Sequence, residues 1–129
     1  MILDTSAVVA ILFREPEAAE FAELIFEADD CRLSAGSYLE ISIVIKRQGR
    51  PGDDRQCDLF LRRSGVEIEP FTVEQAEIAR QAFNDYGKGR HAAGLNFGDC
   101  FAYALAKTTG EPLLFKGDDF RHTDVQPAI

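Results

Sequence analysis

Hydrophobic and polar positions along this chain fall into blocks that switch between short apolar runs and stripes of helical period. Met1 to Leu3 is a short apolar run. Asp4, Thr5 and Ser6, all helix-capping types, separate it from apolar Ala7 to Phe13, which predicts strand, turn and helix. Glu15 and Pro16 open a second helix, with Ala18, Ala19, Phe21, Ala22, Ile25 and Phe26 at helical spacing, ending before Asp29 and Asp30. Cys31 to Leu33 follows as a strand. The segment YLEISIVIKR after Ser37 alternates in a way that suits a strand, yet Leu39, Ile43 and Lys46, or Ile41 and Ile45, also fit a helix. Its length and its place between two strands select the helix.

Asp53 to Arg63 carries Cys57, Leu59, Phe60 and Leu61 as a helix stopped by Gly65, and Val66 to Ile68 is the next strand. Thr72 and Gln75 have capping-box spacing ahead of Ala76, Ile78, Ala79, Ala82, Phe83 and Tyr86, with Gly87 as the stop. The loop KGRHAAGLNFG leads to Asp99, which opens the helical run CFAYALAKTTG closed by Gly110. Pro112 to Lys116 is an apolar strand that breaks at Gly117. This alternation predicts a three-layer α/β/α fold with a mainly parallel central sheet, in which ligands bind beyond the carboxyl ends of the strands.

Composition narrows the picture. The chain has 129 residues, 46% hydrophobic and 28% charged, with no linker-like or repeated stretch, so one domain over residues 1–129 is expected. The longest early apolar run, Ala7 to Phe13, is far short of the ~20 residues of a membrane span, and a cytoplasmic protein is expected. Cys31, Cys57 and Cys100 form an odd set without a close pair, which argues against a disulfide framework or a C-x-x-C metal site. The formal charge of −8 is unusual for a protein that grips nucleic acid along its phosphates. Some of that acidity therefore reads as clustered around a cation.

Asp4, Asp99 and the pair Asp118 and Asp119 each fall at the end of an element, and Glu40 interrupts an otherwise apolar helix. Individually, helix capping, the macrodipole and turn chemistry explain the aspartates. Jointly, an alternating fold gathers such ends along one edge, where carboxylates repel, raise one another's pKa and call for an oxygen-preferring divalent cation. Mg²⁺ or Mn²⁺ held this way would acidify a water and polarise a phosphorus centre, the chemistry of a phosphodiesterase. His91 and His122 lack an H-E-x-x-H partner, and no P-loop, nucleophile-elbow or dinucleotide motif occurs. Lys88, Arg90 and His91 in the glycine-bearing loop are candidates for holding a nucleic-acid backbone, with Lys46, Arg47, Arg50, Arg62 and Arg63 as further cations.

The opening MILDTSAVVAIL, the isolated glutamate of SYLEISIVI, the segment YGKGRHAAGLNFGDCFAYALA and the ending PLLFKGDDFRHTDV together resemble the PIN-domain ribonuclease toxins of the VapC type, over essentially the whole chain. The resemblance implies a PIN-like fold, Mg²⁺- or Mn²⁺-dependent endoribonuclease activity, a homodimer, and inhibition by a VapB-type antitoxin whose basic tail could enter an acidic cleft. It makes Asp4 and Asp99 the metal-binding aspartates and Glu40 the intervening acid, with either Asp118 or Asp119 as the fourth. Thr5 and Ser6 resemble the hydroxyl residues that hold the first carboxylate or a metal-bound water.

Rival readings fare less well. A phosphotransfer receiver needs an acidic pair at the first strand and an acceptor aspartate at a middle one, where this chain has Glu69 and Pro70. A haloacid-dehalogenase-type phosphatase needs a second aspartate where Ser6 stands. A catalytically silent PIN-like module that binds RNA or protein is the non-enzymatic alternative, and DNA is the rival substrate.

Overall fold

The computed structural model describes residues 1–129. Its frame is a parallel four-stranded sheet in the order β3-β2-β1-β4, built from β1 (Ile2–Leu3), β2 (Cys31–Ser34), β3 (Val66–Glu69) and β4 (Leu113–Leu114). Six helices surround it: α1 (Thr5–Leu12), α2 (Ala18–Glu27), α3 (Ala35–Gln48), α4 (Asp53–Arg63), α5 (Val73–Tyr86) and α6 (Phe97–Thr109). The three-layer expectation holds because strand side chains alternate. Leu3, Leu33 and Leu114 face one core shared with Ala7, Phe21, Ile41 and Leu61 of α1 to α4. Ile2 and Leu113 face the other, with Ala82 of α5 and Ala102, Leu105 and Ala106 of α6. Cys31, Cys57 and Cys100 are free, buried thiols. No helix is long and apolar enough to cross a membrane.

Several local expectations shift by a turn. The segment around Ile41 is a helix, and it begins earlier than its apolar stripe, at Ala35, because Ser34 caps it by accepting from the Gly36 amide at 3.2 Å. Glu15 and Pro16 lie in the turn before α2 rather than in its first turn. Pro112 to Lys116 pairs only through Leu113 and Leu114. Thr72 caps α5 through the Gln75 amide at 3.1 Å, but the Gln75 side chain donates to the Pro70 carbonyl, so that box is half made. The complete capping box belongs to α6, between Asn96 and Asp99.

The strand order reverses direction at β1: the chain moves outward through β2 and β3, then returns to place β4 on the other side of β1. Such a switch point leaves a crevice at the strands' carboxyl ends. Asp4 stands at its mouth, its amide donating to the Leu114 carbonyl at 2.9 Å.

Candidate active site

Asp4 leaves β1 in an extended conformation and caps α1, and its Oδ2 accepts from the Ser6 amide at 2.9 Å and from the Ser6 hydroxyl at 2.6 Å. The Ser6 oxygen in turn accepts from the Lys116 amide at 2.9 Å, which ties the end of β4 to the first carboxylate. Oδ1 of Asp4 is buried and has no partner. Asp4 is only 3% exposed, and desolvation, opposed by the Ser6 hydrogen bonds and reinforced by the charge of Glu40, pushes its pKa up to about 6.

Asp99 sits in the first turn of α6, where its Oδ2 accepts from the Asn96 amide at 3.0 Å while the Asn96 side chain accepts from the Asp99 amide at 2.9 Å. Burial first, then the charge of Asp4, and then those of Asp119 and Glu40, push Asp99 up to about 7. Glu40, on α3, lies against Gly98 of α6. The structure thus brings Asp4 at the β1–α1 junction, Glu40 on α3 and Asp119 in the short 3₁₀ turn Asp119–His122 after β4 within electrostatic reach of Asp99 on α6, and Glu40 within reach of Asp4.

Of the two adjacent candidates for the fourth acid, Asp119 is the one whose charge is felt at Asp99. Asp118 begins the 3₁₀ turn, with its carbonyl accepting from the Arg121 amide at 3.0 Å. The two hydroxyl residues also part company. Ser6 holds the carboxylate of Asp4, whereas the Thr5 hydroxyl donates to the Ser37 carbonyl at 3.4 Å and fastens α1 to α3.

These residues fit a divalent cation. Asp4 commits one oxygen to the Ser6 amide and hydroxyl and Asp99 commits one to the Asn96 amide, each leaving the other without a hydrogen-bond donor, and the free Asp4 oxygen is buried as well. No three His, Cys, Asp or Glu side chains close on one point as a cage. Magnesium takes one or two carboxylates and keeps several waters, so an uncaged pair suits it.

A PIN domain model matches residues 1–126. The chain belongs to the PIN-domain family. Ribonuclease VapC30 of Mycobacterium tuberculosis is 55% identical over 127 residues, covering 97% of this chain and 95% of the relative. Ribonuclease VapC of Mycolicibacterium smegmatis is also 55% identical, with 97% of each chain covered. Among solved structures, VapBC2 from Rickettsia felis, bound to a DNA fragment from its promoter, matches with a TM-score of 0.75 at 16% identity over 98% of this chain and 95% of that one. VapC20 of Mycobacterium tuberculosis, a toxin that cleaves the sarcin-ricin loop, matches with a TM-score of 0.70 at 16% identity and 98% coverage of both. At those identities the structures speak for the fold.

In this PIN domain none of the loop cations is paired with one of the clustered acids. Lys88, Arg90 and His91 are exposed on the loop that enters α6, and none forms an ion pair. His91 Nδ1 accepts from the Ala93 amide at 3.0 Å and its ring stacks edge-on to Tyr86, so only its Nε2 is free to meet a ligand. Sequence reasoning missed Asn96 and Gly98. Asn96-x-x-Asp99 carries a readable capping signal, whereas nothing local marks the packing role of Gly98.

Proposed function

We propose that this PIN domain, acting as one domain over residues 1–129, is the toxin of a type II toxin-antitoxin pair and hydrolyses RNA phosphodiester bonds with Mg²⁺ or Mn²⁺ at Asp4, Glu40, Asp99 and Asp119. The carrying observation is that acids far apart in the chain converge at the sheet's switch point with two of them driven up to about 6 and about 7. Curated relatives named ribonucleases support RNA as substrate. Solved relatives in VapBC and other toxin-antitoxin complexes support an antitoxin partner of VapB type. A homodimer in the cytoplasm follows from the family resemblance.

Asp4 and Asp99 would hold the cation, which when bound supplies charge compensation, a more acidic water and polarisation of the scissile phosphate. Ser6 fixes Asp4 through Oδ2 and the Asn96 amide fixes Asp99 through Oδ2, so that the remaining oxygen of each is presented without reorganisation. Glu40 and Asp119 orient the attacking water and accept its proton as it adds to phosphorus and the ribose oxygen leaves. Lys88 and Arg90, with Nε2 of His91, would contact the flanking phosphates.

Purified protein is expected to cut total cellular RNA with Mg²⁺ or Mn²⁺ and to leave it intact in chelator. Intact RNA under all three conditions, from folded antitoxin-free protein, would move the reading to a silent binding module. Ser6→Ala removes the hydroxyl between the Lys116 amide and Asp4. The expected outcome is roughly 1 kcal/mol of lost stability by thermal denaturation and a cleavage rate lowered about tenfold, which Ser6→Thr should partly restore.

A further inference from the structure

Helices α3 and α6 meet through two reciprocal glycine seats. Gly36, in the first turn of α3, lies under the ring of Phe101 from α6, and a Cβ there would stand 2.2 Å from Cδ1. Gly98, in the first turn of α6, lies under the carboxylate of Glu40 from α3, and a Cβ there would stand 1.7 Å from Oε2 and 2.4 Å from Cδ. The two seats differ in their occupants. Phe101 packs edge-on against Phe71 at 4.7 Å and Phe97 at 5.0 Å between ring centroids, so a Cβ at Gly36 would press on an aromatic cluster and Gly36 serves packing.

Glu40 ends a flexible chain, and no side-chain hydrogen bond or ion pair restrains it. Its position beside Asp99 is set by the shape of what it rests on. Glycine is a poor helix former, and Gly98 is in helical rather than left-handed backbone, so conformation gives no reason for glycine there while space does.

We propose that Gly98 is a positioning residue: its bare Cα is the seat that keeps the Glu40 carboxylate within electrostatic reach of Asp99, and any larger residue displaces that carboxylate without disrupting the fold. The proposal rests on reading the acid cluster as a nuclease site. At Gly98 the neighbour that must yield is a mobile carboxylate, so the loss should appear in chemistry rather than in substrate binding.

The test compares Gly98→Ala, Glu40→Ala and the double variant for kcat and KM on RNA, for Mn²⁺ affinity by titration calorimetry, and for the melting temperature. Gly98→Ala is expected to melt at or above the wild-type temperature, to keep KM within about twofold, and to lose about 10²-fold in kcat, the scale of an ångström-sized misplacement. Once Glu40 is gone there is no carboxylate left to displace, so the double variant should match Glu40→Ala. Wild-type cleavage by Gly98→Ala, or losses that multiply in the double variant, would overturn the proposal. Should Gly98→Ala not fold, recovery of folding in the double variant supports the seat and its failure to recover overturns it. Should the wild type not cut RNA at all, the nuclease reading fails. A crystal structure of Gly98→Ala then decides the seat by itself, a displaced Glu40 carboxylate supporting it and an unmoved one refuting it.

Discussion

Replacing Asp99 with asparagine is expected to lower RNA cleavage by about 10²–10³-fold, the scale on which a preorganised electrostatic contributor at a reacting centre is lost. The substitution should spare the fold, because an asparagine oxygen can still accept from the Asn96 amide and keep the capping box of α6 closed. What disappears is the charge, and with it the oxygen not committed to the Asn96 amide. Circular dichroism and melting temperature should stay near wild type while the Mn²⁺-supported rate collapses. An Asp99→Asn protein that cuts at the wild-type rate would remove Asp99 from the site.

The second large effect is on stability in the absence of metal. Asp4 is held at about 6 in the fold against an ordinary value of 3.8, and Asp99 at about 7. A carboxyl whose pKa is raised by folding contributes stability that is complete below its unfolded pKa and is lost as pH rises through its folded pKa. In chelator the melting temperature should therefore fall from about pH 4, where the unfolded carboxyls ionise, to about pH 7, where the folded ones have done so, and level off above that. For Asp4, 3% exposed, the full shift corresponds to about 3 kcal/mol at 1.36 kcal/mol per pKa unit.

Asp4→Asn should raise the metal-free melting temperature at pH 8 by several degrees, with the gain shrinking toward pH 5, and Mn²⁺ should raise it in the wild type but not in the variant. A wild-type protein whose metal-free stability climbs from pH 5 to pH 8 would contradict the buried-charge account. The same substitution should abolish cleavage, so stability and activity move in opposite directions at one residue, as expected where a strained charge is kept for function.

Much of this was legible in the residues. The capping types after Leu3 placed Asp4 at a strand-helix junction, and the isolated Glu40 on an apolar helix stood out because an amphipathic stripe explains it poorly. Asp99 is readable as a first-turn acid, whereas its capping partner Asn96, directly after buried Leu95, reads as part of the loop. Asp118 and Asp119 could not be separated, since both satisfy a polar turn after a glycine and only the course of the 3₁₀ turn decides which charge reaches Asp99. The cations of Lys88, Arg90 and His91 are visible as types, but their exposure without an ion-pair partner is not.

The sequence by itself determined the order and kind of the elements and marked out the candidate acids, because strand alternation, helical period and capping act over a few neighbouring residues. Tertiary structure alone decided which acids meet, which oxygen is left unpartnered, how far burial raises each pKa, and why position 98 is glycine. Those properties depend on approaches such as that of the Lys116 amide to Ser6, 110 residues apart, and of α3 to α6. Burial and Coulomb energy follow distances in space, to which local periodicity is blind.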